Sequence, residues 1–329
     1  MNESSRQVAY LLNIIDVDIA MPLEIIEGIE FRKASDAEVN FISEHDKYVR
    51  NSLFESPAHM YNHTFDEKRH SSSFIQNKRL WKYYVIEFDT KDHNLLSNQE
   101  NGRLNKLEKA CLLSESELCW AVSSTKAGKH LHITWCNPSR LHAFKANREY
   151  IIRRDIPVIN DGHFDEVRMI YEMIEQLDSN YAFLNKAINL YSNILKLPAH
   201  SEFSAVGFFT VLELLVTHRP SNKNGSISHQ IRNKLPLMSK RFKRPVKYES
   251  FFTEQDHRRL WNILYNYRST IAHGEKPDFS KQGSKQGDSG GFKELNDQRN
   301  IFSFLKLFTR RALLHSLSEP ELISDLRRC

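Results

Sequence analysis

The hydrophobic period of this chain changes near residue 160, and that change limits its possible folds more than any other feature. Upstream, short apolar and β-branched runs are separated by turn residues. Downstream, strand signals all but vanish, and apolar residues recur at the three-to-four spacing of one helix face. The runs "QVAYLLNIIDVD", "GIEFRKA" and "WKYYVIEFDT" predict strands from their aromatic and β-branched content. "SELCWAVSS" and "HLHITWCN" predict two more, with a turn at Lys126 to Lys129. Ser35 and Glu38 have capping-box spacing, so a helix is expected to start there, and "GRLNKLEKACLLSES" has helical spacing. "RRDIPVINDGHFDEV", with Pro157, Asn160 and Gly162, reads as a connector. Helices are then expected over residues 164–177, 181–196, 201–218, 227–242, 253–273 and 297–317. A short last helix is expected to start at a Ser318/Glu321 capping box. The expected class is α+β: a mixed α/β domain over 1–159, then an all-helical bundle over 160–329.

Length and composition agree with two cores. The chain has 329 residues, 40% of them hydrophobic and 11% aromatic, enough for each domain to bury its own apolar interior. A net charge of +5 is mild, so its placement matters more than its size. Between Gln230 and Tyr248 there is no acid, yet Arg232, Lys234, Lys240, Arg241, Lys243, Arg244 and Lys247 all fall there. Such a run can track the phosphates of RNA, with Lys240, Arg241, Lys243 and Arg244 as the candidate contacts. It can equally be a solvated helix face followed by a basic loop.

Other signals bound the chemistry. Cys111, Cys119, Cys136 and Cys329 form no CxxC pair, which fits a reducing compartment. Asp16 and Asp18 interrupt the apolar N-terminal stretch, unlike a signal peptide. "AVGFFTVLELLV" is too short to span a bilayer and carries Glu213. A cytoplasmic protein without a membrane partner is expected. His59, His63 and His70 lack the carboxylate or histidine support that zinc needs, and there is no HExxH. His130 and His132 alternate along an expected strand with Cys136 further along, the pattern of a polar sheet face. No GxGxxG, P-loop or GxSxG pattern occurs, so neither metal nor cofactor is expected.

Within "LWNILYNYRSTIAHG", Leu260, Leu264, Tyr267 and Ile271 form the seam of an amphipathic helix, and Gly274 marks its end. Arg268 flanks the seam, and His273 follows five positions later. Five steps of about 100° separate two side chains by roughly 140° on an ideal helix. For both to reach one phosphate, the helix must end or distort before His273, or the second group must come from another chain. Alternatively, the arginine lays its stem on the core and the histidine complements the helix dipole. Glu213, within the apolar helix "FFTVLELLVTH", either pairs with Arg268 or lies at a helix edge.

An all-helical domain with Arg-x4-His at a helix end, followed by glycine, resembles the HEPN family and its ApeA-like branch. The residues that carry the resemblance are "YNYRSTIAHG", the upstream "FFTVLELLVTH" and the transition "GSISHQIRNKL". It covers about the C-terminal half of the chain. It implies a metal-independent endoribonuclease that acts as a homodimer, often as an antiphage or abortive-infection effector. His273 would be the general acid/base and Arg268 the phosphate clamp, with Ser269 and Glu213 in support. Many nuclease-competent members place an amide or acid after the arginine, where this chain has Ser269, still polar and able to hydrogen-bond. The N-terminal domain would then bind a phage-derived or cellular trigger. The family also contains members that bind or dimerise without cutting, so a silent scaffold is the alternative.

Overall fold

The computed structural model describes residues 6–11, 15–39, 61–66, 71–76, 84–89, 102–125, 131–133, 158–197, 201–218, 225–254, 256–280 and 291–328. The chain divides into two compact units, Met1–Tyr171 and Glu172–Cys329. An antiparallel sheet near the N-terminus and a helical C-terminal region make it an α+β protein.

The first unit is built on a six-stranded antiparallel sheet. Its strands are β1 (Arg6–Leu11), β3 (Leu23–Ile26), β4 (Ile29–Lys33), β7 (Tyr84–Asp89), β8 (Trp120–Thr125) and β9 (Leu131–Ile133), in the order β3-β4-β7-β1-β8-β9. One backbone row runs Phe31, Ile86, Ala9, Ser123, His132 across it. Phe31 stacks on Tyr84 and meets Phe164, with ring centroids 5.4 and 4.9 Å apart, so apolar packing holds this face. On the other face, Arg32 forks onto Glu38 (2.7 and 2.8 Å) and reaches Glu87 at 2.8 Å. Glu38 also accepts from the Ser35 amide while its own amide bonds the Ser35 hydroxyl, the expected capping box, ahead of a helical turn at 36–39. Burial alone would raise the Glu38 carboxyl; the Arg32 and Ser35 hydrogen bonds outweigh it and hold it low.

Two smaller ladders complete the described strands: the hairpin β5 (Tyr61–Asp66) with β6 (Ser71–Gln76), and β2 (Asp16–Asp18) parallel to β10 (Val158–Asn160). "QVAYLLNIIDVD" therefore supplies two strands that pair in different sheets, not one. The expected connector near 160 contains β10 and the start of helix α2 (Asp161–Glu175), which follows α1 (Arg103–Leu113). Arg168 of α2 donates to the Ile25 and Glu24 carbonyls of β3, and Phe164 packs on Phe31, so most of α2 belongs to the first unit. The β3–β4 turn is Glu27-Gly28, with Gly28 at φ +75° and its amide bonded to the Glu24 carboxylate. Cys111 is buried and Cys119 half-buried; Cys136 and Cys329 lie outside the described residues.

The second unit is a helical bundle: α3 (Ala182–Ile194), α4 (Glu202–Val216), α5 (Ile227–Ser239), α6 (His257–Ala272), α7 (Gln298–Ser318) and α8 (Pro320–Arg328). The nearly all-apolar α4 lies at its centre and packs against the other five. Side-chain caps set three of the starts: Ser226 accepts from the His229 amide, Asp256 from those of Arg258 and Arg259, and Asp297 from that of Asn300. The Asp256 cap is why α6 begins at His257 and not at Thr253. The expected Ser318/Glu321 capping box does not form. Ser318 ends α7 and its hydroxyl donates to the His315 carbonyl, while Pro320, with φ preset for a first helical position, opens α8. Among the described residues, no helix is long and apolar enough to cross a membrane.

Gly207 of α4 packs close against Ile194 of α3. A Cβ there would lie 2.6 Å from Cγ1 of Ile194, which is buried. Alanine would gain about 1 kcal/mol of helix propensity and lose a comparable amount to crowding. Gly207→Leu gains a similar propensity term, but its larger side chain must displace buried Ile194, and a net cost of about 2 kcal/mol is expected, read as a lower urea midpoint at unchanged slope. An unmoved midpoint would refute the close approach.

Candidate functional site

The C-terminal end of α6 carries the candidate site. Its seam residues Leu260, Leu264, Tyr267 and Ile271 are all buried, which fixes how the helix is rotated. The His273 amide still bonds the Ser269 carbonyl at 3.0 Å, so the regular ladder runs through His273. The distortion comes one residue later. Gly274 adopts φ +77°, its amide bonds the Ile271 carbonyl, and the Glu275 amide bonds that of Thr270, which together form a Schellman cap. The helix ends at Ala272, and His273 is its C-cap, at φ −89° and ψ 2°. Among the described residues, no hydrogen bond or ion pair joins Arg268 and His273.

The two side chains have different surroundings. His273 is exposed, whereas Arg268 and Ser269 are half-buried. The Arg268 Nη2 lies 3.5 Å from Oε1 of Glu213 on α4, with the side chains 24% and 16% exposed. Arg268 also sits over the ring of Tyr265, 5.6 Å from its centroid, and Tyr265 packs edge-on against Phe209. Sequence reasoning passed over Tyr265, although its place three residues before Arg268 makes it a helical neighbour. Burial pushes the Glu213 carboxyl above the usual carboxylate range, and the Arg268 charge offsets part of that rise. Burial and the Glu213 charge likewise push the Tyr265 phenol up, so it stays a proton-bearing donor at neutral pH. Past the cap, the Phe292 amide bonds the Asp278 carbonyl at 2.8 Å and Phe279 and Phe292 pack on Tyr267, which pins the chain beyond His273 to α6.

The basic run splits into two parts. Lys234 is buried inside the bundle. Lys240, Arg241, Lys243, Arg244 and Lys247 are exposed, on a loop anchored by buried Phe242, Val246 and Tyr248. Arg241 donates to Glu319 at 2.7 Å, and Glu319 lies 3.6 Å from the buried imidazole of His315, whose ring is 5.9 Å from that of Phe242.

His315 gives this corner a pH dependence. Burial holds it below its ordinary value; Glu319 pulls it upward and Arg241 pushes it down. A histidine lowered on folding is protonated first in the unfolded chain, near pH 6.5, so stability falls as pH drops through that region. His315→Leu should remove this contribution, and urea midpoints at pH 7 and pH 5.5 should lie closer together than in the wild type. Equal pH dependence in both proteins would contradict it.

The remaining candidates are dispersed. His63 lies on β5, paired with Phe74, and His132 lies on β9; His59, His70, His130 and Cys136 fall outside the described residues. Among the described residues, no group of three or more His, Cys, Asp or Glu is placed to hold a metal ion. No family model, curated protein or solved structure matches the chain.

Proposed function

We propose that the chain is a metal-independent endoribonuclease whose site is formed by Arg268 and His273 at the end of α6, with Ser269 beside them. The observation that carries this reading is a division of labour at one helix end. The guanidinium is held by Glu213 and Tyr265 while the imidazole is exposed and unengaged. RNA supplies its own nucleophile. The ribose 2′-oxygen attacks the adjacent phosphorus, the bond to the 5′-oxygen breaks, and a histidine can carry the proton at neutral pH. The phosphorane gathers negative charge, which a planar, permanently charged guanidinium engages through paired hydrogen bonds.

Arg268 lies in the last turns of α6 and His273 at its C-cap, five positions on, a spacing that turns the two side chains apart; the partner groups come from a second copy, and a homodimer sets two Arg/His pairs around one cleft. The exposed Lys240, Lys243 and Arg244, with Arg241, guide the RNA backbone toward it. In the cell such an enzyme acts as a cytoplasmic defence effector restrained by the N-terminal unit until a phage-derived or cellular trigger binds. The test is incubation of purified protein with RNA in EDTA. Products ending in 2′,3′-cyclic phosphate and 5′-hydroxyl are expected; cleavage that chelation abolishes would refute the reading.

A second reading rests on the same geometry. Arg268 is already paired with Glu213, and His273 is the C-cap of α6, so each has a structural role in a silent dimerisation or scaffold domain. In that case Arg268→Ala and His273→Ala leave the biological output unchanged. Relief of bacterial growth arrest by His273→Ala separates the two readings.

A further inference from the structure

We infer that RNA lies along the outer face of α6, from the basic loop at one end of the helix to His273 at the other. This deepens the ribonuclease reading above, on which it rests, and sets a minimum length for an efficiently cut substrate.

Three packings fix the place of the loop. Tyr248 stacks on His257, the first residue of α6, with ring centroids 3.8 Å apart, and its hydroxyl accepts from Trp261 Nε1 at 3.3 Å. Phe242, inside the loop, meets Phe308 and His315 on α7. Arg241 reaches Glu319, just past the end of α7. The two helices run in opposite directions: Tyr267 packs on Phe292, ahead of α7, while Trp261 packs on Phe308, halfway along it. All three packings therefore put the loop at the start of α6, and His273 caps the other end. The 16 residues between them rise about 24 Å.

Charge decides what the loop holds. Lys240, Lys243, Arg244 and Lys247 are exposed there, and exposed Arg258 extends the patch onto the first turn of α6. Several neighbouring acids are engaged: Asp256 caps α6, Glu254 pairs with Arg259, and Glu319 pairs with Arg241. A patch of this sign suits a chain of phosphates. From there Asn262, Asn266 and Ser269 recur at three-to-four spacing along α6, exposed or half-buried, and lead to exposed His273. No residue of α6 is acidic. Amides and a hydroxyl can hydrogen-bond sugar and phosphate without repelling them.

The separation of the two ends has a consequence for substrate length. A stacked strand advances about 3.4 Å per nucleotide, so about seven nucleotides join the loop to a linkage at His273. A trinucleotide reaches one end only. At physiological salt, charges are screened over about 8 Å, so the loop acts on RNA that touches it and not across the length of α6.

The experiment compares two single-stranded substrates cut by the full chain in EDTA at physiological salt. One is a trinucleotide; the other carries seven nucleotides on either side of the cut. Each has a single ribonucleotide in a deoxy strand, so both present one scissile linkage. The wild type should favour the longer substrate in kcat/KM by at least about tenfold. The double variant Lys243→Gln/Arg244→Gln should remove most of that preference, and its binding should lose about 1.4 from the slope of log Kd against log salt. Asn266→Glu, which sets an acid midway along the stripe, should remove the preference with the loop intact and the melting temperature unchanged. A wild type without the preference overturns the inference, as do loop variants that slow both substrates equally. Asn266→Glu that keeps the preference overturns the path along α6. In each case the ribonuclease reading stands, provided the wild type cuts and His273→Ala does not. A wild type that cuts neither substrate nor longer RNA in EDTA overturns both.

Discussion

His273→Ala should lower metal-free RNA cleavage by about 10²–10⁴-fold while leaving the melting temperature unchanged. The two halves of that expectation have separate causes. The imidazole makes no hydrogen bond or ion pair within the described residues, and the cap of α6 is built from backbone groups and Gly274, so the fold does not depend on the ring. The rate depends on it because a leaving alkoxide needs a proton near neutral pH. Arg268→Ala should cost about 10²–10³ in kcat, the usual loss when one stabilising donor is removed from a charged transition state. It should also cost some stability, since Glu213 then keeps a half-buried charge without its partner. A mixing experiment sharpens the test. On the dimeric reading proposed above, a working site draws Arg268 and His273 from two copies. Re-associating Arg268→Ala with His273→Ala subunits makes half the dimers mixed, each with one intact site and one doubly broken one. About a quarter of wild-type activity should return. No recovery would mean that each site is built within a single chain and would refute the dimeric reading.

The features legible in the sequence are those with a local cause. The helices of the second unit were expected within a few residues because their seams repeat at helical spacing, and Gly274 announced the Schellman cap because few other residues adopt positive φ cheaply. The capping box at Ser35 and Glu38 formed as its spacing required. The same signature at Ser318 and Glu321 failed because a proline between them fixed a different start, and Ser318 remained helical. Strand β10, and the break that separates β2 from β1, were missed for another reason: β2 and β10 pair in parallel across some 140 residues, and nothing local in Asp16–Asp18 or Val158–Asn160 records that partner. The candidate site shows the same division. Arg268 and His273 could be picked out only by taking their spacing together with the helix end and Gly274, and Glu213 as an acid in an apolar helix. Their rotation about α6, the length of the Arg268–Glu213 pair and the ring of Tyr265 beneath it depend on how α4 and α6 pack. Charge counting failed in a similar way at Lys234, which resembles its basic neighbours in sequence yet lies in the interior.

Lys234→Met should destabilise the helical unit by about 2–3 kcal/mol, the cost of leaving enclosed carbonyl acceptors without their donor. Lys234 donates to the Val216 carbonyl at 2.9 Å, the Leu326 carbonyl at 2.8 Å and Oε1 of Gln230 at 3.2 Å. Those carbonyls lie at or near the C-terminal ends of α4 and α8, where helix carbonyls lack intrahelical partners and carry partial negative charge. One ammonium thus closes two helix ends from a third helix. Gln230 reinforces it by donating to the Gly225 and His218 carbonyls. Methionine has nearly the same reach and fills the space, so the loss isolates hydrogen bonding from cavity formation. The urea midpoint should fall, and amide exchange should rise most in α8, whose further holds are buried Ile323, Arg327 on the Phe183 ring and the exposed Arg241–Glu319 pair. A loss below about 1 kcal/mol would show that solvent can replace the ammonium. RNA affinity offers an independent check on how the basic run divides. An interior lysine neutralises no phosphate, so Lys234→Met should leave the salt dependence of binding unchanged, whereas Lys243→Gln should lower its slope by about 0.7 for a single strand.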